Sequence, residues 1–223
     1  IAFTITCAIF LFGFNDAAFS ANYTYAFKTR LLYSFLTVSF LSAFYEFSRQ
    51  KSYDTALYLS EQFERQAKHD RLTNLLNRRG AQQCLDREYA RMLRSKQAFS
   101  VAIADVDRFK SINDTLGHEQ GDEVLRQIAK IFSSRLRGQD ILARWGGEEF
   151  IVLLPEANKE QSFALAQRLI KAVESYNFEA NIELTISVGV AQYQAIDDIT
   201  SWIERADNAL YQAKNEGRNC FKG

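Results

Sequence analysis

Two adjacent glycines, Gly146 and Gly147, stand between two apolar runs, and this pattern constrains the fold of the chain more than any other. Apolar runs joined by a short glycine turn are typical of a β-hairpin, because glycine adopts the backbone angles of a tight turn at little cost. Glu148 and Glu149 follow directly. Neighbouring side chains on a strand point to opposite faces, so we expect only one of these acids to face a ligand. Without other evidence, the pattern is more typical of a surface turn than of a binding site.

The charge composition excludes one broad class of function. The 223 residues contain 27 Lys and Arg and 27 Asp and Glu, so the formal net charge is zero. A general nucleic-acid or polyanion binder owes its affinity to an excess of basic residues, and we therefore expect no nucleic-acid partner. The three cysteines have no paired spacing, which argues against a zinc site or a disulfide framework and fits a reducing compartment.

The first 48 residues are apolar and carry few charges. Residues 1–14 form one apolar run, and residues 31–47 form a second that would reach about 26 Å as a helix, close to the roughly 30 Å of a bilayer core. The chain begins with Ile rather than Met, so we expect a fragment whose upstream sequence completes the first run. We predict transmembrane helices over residues 1–48, with the basic residues that follow on the cytoplasmic side. The alternative is a pair of buried helices in a soluble sensor domain.

Residues 49–69 are predicted to form a helical linker. The segment from residue 50 to residue 69 has no proline or glycine, and a possible seam recurs every three or four positions, at Tyr53, Leu57, Ser60, Phe63 and Ala67. This spacing indicates a weak coiled coil that could pair two copies of the chain. An ordinary amphipathic spacer is the alternative.

From residue 70 onward, helical and β-type patterns alternate. The periodicity predicts a mixed α+β domain with one central hairpin. In order, we predict a helix capped by Asn77 and running to about Lys96, a strand over Phe99–Asp105, two helices, the hairpin, a helix over Lys159–Ser175, a strand over Ile182–Tyr193, a helix over Ser201–Asn215 and a short final strand. We interpret Gly117 and Gly121 as marking the connection between the two middle helices.

A second acidic stretch stands at the end of the strand that begins at Phe99. Asp105 and Asp107 alternate with Val106, so the two acids share a face if the strand continues that far. Burying carboxylates is costly unless a cation compensates, and divalent metals prefer oxygen ligands. The alternative is that one of the acids caps the following helix. Ser, Cys and His form no recognisable nucleophilic set, so metal-assisted chemistry is favoured over covalent catalysis.

Five ordered motifs resemble those of the GGDEF family, the diguanylate cyclases. They are Asp70-Arg-Leu-Thr-Asn-Leu-Leu-Asn-Arg-Arg79, Asp105-Val-Asp-Arg-Phe-Lys-Ser-Ile-Asn-Asp114, Gly117-His118 with Gly121-Asp122, Arg144-Trp-Gly-Gly-Glu-Glu-Phe150 and Tyr211-Gln-Ala-Lys-Asn-Glu-Gly-Arg-Asn219. The resemblance covers residues 70–223, and its specificity comes from the order and separation of the motifs. It implies a palm-like, ferredoxin-related sheet that contains antiparallel strands and is flanked by helices.

The resemblance implies a reaction in which two GTP molecules condense into cyclic di-GMP and two pyrophosphates across an antiparallel homodimer. A 3′-hydroxyl attacks an α-phosphate, so the site must hold phosphates and neutralise charge. By matching position, two Mg²⁺ or Mn²⁺ ions per active site would bind Asp105, the carbonyl of Val106 and Glu148. Glu148 would also help to deprotonate the hydroxyl, and Glu149 would be structural or a secondary ligand. Arg144 would help to stabilise the transferring phosphate.

Four further positions match contacts to guanine in the substrate and the product. Asn113 and Asp122 would read the base of GTP, because a carboxylate that accepts from the N1 and N2 hydrogens of guanine rejects adenine. Arg137-Gly-Gln-Asp140 matches the family's RxxD product-inhibition motif. An arginine can bind phosphate or the guanine edge in forked geometry, so this motif would bind cyclic di-GMP.

The triphosphate would be held by basic residues from two parts of the chain. The resemblance matches Lys110, Lys214 and Arg218 to the β- and γ-phosphates, with the backbone amides near Phe109 as a further anion site. Lys214 and Arg218 lie four residues apart, so they share one side of the last helix if that helix continues through both.

The leading interpretation is a membrane-tethered diguanylate cyclase, in the inner (cytoplasmic) membrane of a bacterium and with its catalytic domain in the cytoplasm. One alternative is a catalytically silent signalling module that binds GTP or cyclic di-GMP, which the intact Asp105, Glu148, Lys214 and Arg218 disfavour. Another is a cyclase of relaxed nucleotide choice, which Asp122 disfavours.

Overall fold

The computed structural model describes residues 25–178 and 182–223. The chain divides into two compact units, of which the first ends at Phe63 and the second runs from Glu64 to Gly223. The first predicted apolar run, residues 1–14, lies outside the described residues. The second run and the predicted linker both lie in one long helix that begins the described part of the chain.

The helices and strands alternate along the second unit as the sequence pattern predicts. The helices are α1 (Tyr25–Lys68), α2 (Arg78–Ser95), α3 (Phe109–Leu116), α4 (His118–Ser133), α5 (Lys159–Glu174) and α6 (Ile199–Asn215). The strands are β1 (Phe99–Val106), β2 (Ile141–Arg144), β3 (Glu149–Pro155), β4 (Ile186–Gln192) and β5 (Phe221–Lys222).

Helix α1 has 44 residues and therefore a length of about 66 Å. Proline and glycine are absent from its sequence, so nothing in the backbone interrupts it. Its Tyr25–Ser60 portion is long and apolar enough to cross a membrane, by length and composition. It is the one such helix among the residues that the structure describes.

The five strands form one sheet in the order β2-β3-β1-β4-β5. All neighbouring pairs are antiparallel except β4 and β5, which are parallel. β1 lies in the centre, and all eight of its residues are buried. The mixed α+β architecture, with helices on both sides of a largely antiparallel sheet, confirms the predicted fold class.

The two faces of the sheet carry separate hydrophobic cores, and alternate residues of β1 belong to each. Ala102 and Ala104 pack into the core that contains α4 and α5, whereas Val101 and Ile103 pack into the core that contains α2 and α6. A strand that is buried on both faces must be apolar at nearly every position, which explains why six of the eight β1 residues are apolar.

Short polar side chains cap the starts of α2, α5 and α6. Asn77 accepts a hydrogen bond from the Gly80 amide and caps α2, which confirms the predicted cap. Asn158 and Asp198 form capping boxes at α5 and α6. The strand predicted to start at Ile182 begins only at Ile186, because β1 ends opposite that residue and offers no further partner.

Gly189 allows α6 to lie directly against β4. A methyl group on this residue would lie 2.0 Å from the carbonyl oxygen of Ala206 and 2.3 Å from the backbone nitrogen of Leu210. Both contacts are to backbone atoms, which cannot turn aside as a flexible side chain would. The close approach sets the position of the helix that carries Lys214.

We expect Gly189→Ala to lower the free energy of unfolding by about 3 kcal/mol, because the added methyl group overpacks the interface between β4 and α6. Urea titration followed by circular dichroism measures the change. Gly138→Ala is the matched control, since a methyl group there would meet no atom within 4 Å. Equal stability of the two variants would contradict the close packing of α6.

Candidate active site

One open cleft brings together six of the residues selected from the sequence. It has a volume of about 510 Å³ and lies between the α3–α4 pair and the hairpin of β2 and β3. The selected residues in its lining are Phe109, Lys110, Asn113, Asp122, Arg144 and Glu148. The cleft therefore combines the positions matched to guanine with an acid from the hairpin turn.

Gly121, on the neighbouring helix, provides the space that the Asn113 side chain occupies. A methyl group on Gly121 would lie 1.9 Å from the side-chain oxygen of Asn113 and 3.2 Å from the ring of Phe109. The prediction that Gly121 marks the connection between helices is wrong, because this residue lies inside α4. The absence of a side chain there lets α3 approach α4 and directs Asn113 into the cleft.

The hairpin turn is longer than the paired glycines predict. Arg144 pairs with Phe150, so five residues separate the two paired positions. Neither glycine has the positive φ expected of a tight turn. Gly146 instead provides space, since a methyl group on it would lie 2.7 Å from the Oε2 atom of Glu149.

The two acids of the turn occupy different positions. Glu148 lines the cleft, whereas Glu149 pairs directly with Asp105 across β1 and β3. Cross-strand partners project from the same face of a sheet, so Glu149 projects from the same face as Asp105. Which of the two acids faces a ligand stays a prediction. The Glu149 carboxylate bends back under Gly146, where it supports the turn.

Arg144 joins the turn to the segment that follows α1. Its Nε and Nη2 atoms donate to the carbonyl oxygen of Gly147 at 3.0 and 2.6 Å, and Nη1 donates to the Asp70 carboxylate at 3.1 and 3.2 Å. Burial acts to raise the pKa of Asp70, but hydrogen bonds from Thr73 and Arg144 and the arginine charge outweigh it, so the pKa lies below its usual value. Contact of Arg144 with a phosphate stays a prediction.

A buried carboxyl group lies at the end of β1, in contact with a lysine from α6. Lys214 Nζ is 2.9 Å from Asp105 Oδ2, and the Asp105 side chain is 9% exposed. Burial raises the pKa of Asp105 to about 6; the hydrogen bond and charge of Lys214 oppose the rise, and Glu148 and Glu149 add to it. Ionised Asp105 is thus incompletely compensated by the protein's own groups.

The donor set fits a divalent cation. Asp105 and Glu148 are carboxylates close enough for the charge of one to raise the pKa of the other, and the Val106 amide donates to the Glu148 carbonyl at 3.3 Å. In the part of the chain that the structure describes, no group of three or more His, Cys, Asp or Glu could hold a metal alone. Any cation here would therefore need ligands from the backbone, water or a bound nucleotide.

The two basic residues at the C-terminal end do not share a helix side. Helix α6 ends at Asn215, so Lys214 is in its last turn and Arg218 lies beyond it, where the Arg218 amide donates to the Ala213 carbonyl at 3.1 Å. The helix ends at the predicted residue, Asn215, so the condition under which Lys214 and Arg218 would share one helix side is not met. Gly217, with a φ of 117°, ends the helix.

The RxxD segment forms a closed turn outside the cleft. The Arg137 amide donates to Asp140 Oδ2 at 2.8 Å, and the Asp140 amide donates to the Arg137 carbonyl at 3.0 Å. β2, whose four residues span about 13 Å, separates this turn from the turn of the hairpin. A basic cleft of about 390 Å³ that the sequence did not predict lies near Arg135 and is lined by Arg168 and Lys171.

The sequence of this domain matches one family model over most of the chain. Residues 67–220 match the model described as "Diguanylate cyclase, GGDEF domain". The chain belongs to the GGDEF family. The match covers the cleft, the hairpin and the RxxD turn.

Among GGDEF relatives, diguanylate cyclase DgcM of Escherichia coli (strain K12) is 40% identical over 161 residues, which are 72% of this chain and 39% of that protein. Diguanylate cyclase A of Treponema denticola is 44% identical over 128 residues, which are 56% of this chain and 34% of that protein. The chain thus spans less than half the length of these relatives.

Solved GGDEF structures have the same fold. The coiled coil and GGDEF domain of DgcB from Caulobacter crescentus, in complex with c-di-GMP, has a TM-score of 0.76 at 31% identity and covers 82% of this chain and 99% of that chain. The active GGEEF domain of a diguanylate cyclase from Vibrio cholerae has a TM-score of 0.58 at 39% identity and covers 60% of this chain and 88% of that chain.

We expect Asp105→Asn to raise the free energy of unfolding at pH 7.5 by about 1–2 kcal/mol, because ionised Asp105 is costly in this GGDEF fold. The native pKa of about 6 lies above the usual aspartate value of 3.8. Proton binding to Asp105 therefore stabilises the native state relative to the unfolded state. This stabilisation is fully present below pH 3.8 and is lost as the pH rises through 6.

Urea unfolding at pH 7.5 and pH 4, without nucleotide and with a chelator, measures the difference between the two proteins. The gain should shrink at pH 4, where wild-type Asp105 is protonated. Glu156→Gln, at an exposed ion pair with Arg91, controls for the general effect of removing a carboxylate. A gain that is independent of pH would contradict the assignment to Asp105 ionisation.

Proposed function

We propose that this chain is the catalytic part of a diguanylate cyclase, which condenses two GTP into cyclic di-GMP and two pyrophosphates. The observation that carries the proposal is the cleft that Asn113 and Asp122 line together with Glu148. Such a cleft offers polar groups for a base at one side and an acid for the reacting atoms at the other. Membership of the GGDEF family supports the same reaction.

Guanine recognition is assigned to Asn113 and Asp122. A carboxylate accepts from the N1 and N2 hydrogens of guanine, and adenine has no equivalent donor pair. Phe109 and Leu125 add apolar surface to the same cleft. This composition favours GTP over ATP as the substrate.

The triphosphate is assigned to Lys110, Lys214 and Arg218, together with the amides at the start of α3. Lys110 lies in the first turn of that helix and lines the cleft. A helix N-terminus and two or three cations neutralise the charge of phosphate oxygens. Lys214 is within 2.9 Å of Asp105, so the phosphate and acid subsites adjoin each other.

Asp105, Glu148 and the Val106 carbonyl are the residues that would hold two Mg²⁺ or Mn²⁺ ions. When bound, these ions would neutralise phosphate charge and lower the pKa of the attacking 3′-hydroxyl. Glu148 lines the cleft, where its carboxylate can accept that proton. Glu149 supports the turn from beneath.

Each cleft holds one GTP, so the two substrates must come from two copies of the domain in an antiparallel homodimer. The apolar Tyr25–Ser60 portion of α1 supports a tether to the inner membrane of a bacterium, with the cyclase domain in the cytoplasm. In this arrangement residues 1–48 would lie in the membrane, residues 49–69 would link two copies, and residues 70–223 would carry the chemistry.

Feedback inhibition is assigned to the RxxD turn. The Arg137 backbone closes the turn with Asp140, which leaves the guanidinium to contact a ligand. The neighbouring basic cleft, with Arg168 donating to the Arg135 carbonyl at 2.8 Å, adds positive charge for the phosphates of cyclic di-GMP.

Purified protein with GTP and Mg²⁺ should form cyclic di-GMP, and specific activity should rise with protein concentration as dimers form. Glu148→Gln or Asp105→Asn should lower kcat at least about 100-fold without loss of folding. Chromatography of the products measures the rate of cyclic di-GMP formation by the wild type and by each variant, and Glu156→Gln is the control. Well-folded wild-type dimers that bind GTP but form no product would favour the silent signalling module, and equal turnover of ATP would favour relaxed nucleotide choice.

Arg137→Ala should raise the concentration of cyclic di-GMP needed for half-inhibition by at least about tenfold, because the forked contact is lost while the backbone that closes the turn remains. Initial rates with added product measure this. Arg87→Ala removes an exposed arginine on α2 and should leave inhibition unchanged. The site assignment is wrong if the wild type shows no inhibition.

A further inference from the structure

Asp107 is a buried acid whose hydrogen-bonding capacity is used within the protein. It accepts from Thr185 Oγ1 at 2.7 Å, from Ser187 Oγ at 2.7 Å and from the backbone amide of Asn219 at 3.1 Å. The side chain is therefore directed at β4 and at the C-terminal segment. Two of the three donors reach the same oxygen, Oδ2, and the third reaches Oδ1.

The segment that Asp107 holds has an unfavourable backbone conformation. Gly217, Arg218 and Asn219 have φ values of 117°, 66° and 48°. Left-handed conformations cost side-chain-bearing residues energy and persist only where surrounding contacts impose them. The bond from the Asn219 amide to Asp107 is one such contact, and the bond from its side chain to Glu174 at 2.8 Å is another.

This turn carries the basic groups assigned to the triphosphate. Lys214 is in the last turn of α6, Arg218 is in the strained turn itself, and the Cys220 carbonyl accepts from the Val188 amide as the chain enters β5. Asp107 is two residues beyond Asp105, so one carboxyl group connects the end of β1 to the segment that bears these cations.

We propose that Asp107 is a positioning residue, which holds the strained 217–219 turn against the end of β1 and so places Arg218 and Lys214 at the β- and γ-phosphates. The inference rests on the proposed function for the identity of the nucleotide. Asp107 acts through hydrogen bonds to Thr185, Ser187 and Asn219, and it does not coordinate a cation.

The conservative variant separates positioning from metal coordination. In Asp107→Asn, the amide oxygen can accept from Asn219 and Thr185 while the amide nitrogen donates to the Ser187 hydroxyl, so the network survives. A cation ligand would lose its charge in the same variant. In Asp107→Ala the network is lost, so the turn loses one of the contacts that impose its left-handed conformation.

The test compares binding of two probes, GMP and the α,β-methylene analogue of GTP with Mg²⁺, by calorimetry. Asp107→Ala should weaken binding of the GTP analogue about tenfold and of GMP less than about twofold, since GMP lacks the β- and γ-phosphates. Asp107→Asn should bind both probes within about threefold of the wild type. Ser100→Ala, which removes another buried hydroxyl bond from β1, controls for general destabilisation.

Hydrogen–deuterium exchange without nucleotide provides a readout that does not depend on the proposed reaction. Amides of residues 214–222 should exchange at least about tenfold faster in Asp107→Ala and at the wild-type rate in Asp107→Asn and Ser100→Ala. Unchanged exchange in the alanine variant would overturn the proposal. Loss of affinity for the GTP analogue in Asp107→Asn would also overturn it. This variant remains decisive if Asp107→Ala fails to fold.

The two possible failures remain distinguishable. A wild type that binds the GTP analogue no better than GMP would refute the proposed triphosphate site, and with it the assigned role of Asp107 in phosphate binding. Faster exchange of residues 214–222 in Asp107→Ala would, in that case, still support the hydrogen-bonded hold on the turn. Equal weakening of both probes in Asp107→Ala would overturn the positioning role.

Discussion

The ion pair between Asp105 and Lys214 is the interaction on which the site depends. It joins the central strand to the last helix at a point where the carboxyl group is removed from water. The Lys214 ammonium group offsets only part of the free-energy cost of burying the Asp105 carboxylate, and the carboxylates of Glu148 and Glu149 add to that cost. The pKa of Asp105 therefore remains raised. The fold thus maintains a local excess of negative charge at the position where the proposed chemistry needs cations.

Backbone and side-chain contacts connect the hairpin to the segment that follows α1. Leu76 bridges to both His69 and Ala143, and its carbonyl accepts from the Arg144 amide at 2.8 Å. The Arg144 side chain then contacts Asp70 on one side and the turn on the other. A displacement of the segment that follows α1 would therefore act directly on the turn that bears Glu148, through a short series of polar contacts.

Much of the fold follows from local sequence signals, because β1 is mostly apolar and the caps at Asn77 and Asp198 are short-range features. The ordered motifs also identify which positions line the cleft. The failures concern long-range geometry. Periodicity cannot show that Gly121 makes room for a neighbouring helix or that Glu149 pairs with Asp105, since each depends on contacts between distant segments.

Both edge strands of the sheet are short, and one of them is partly covered. β2 has four residues and is capped by the bridge from Leu76, and β5 has two residues in parallel pairing with β4. Long unpaired edges invite a second chain to extend the sheet, and such edges are a common route to aggregation. A second copy of the domain would therefore find little free backbone with which to extend the sheet, so any association between copies would use side chains and could reverse without an exchange of strands.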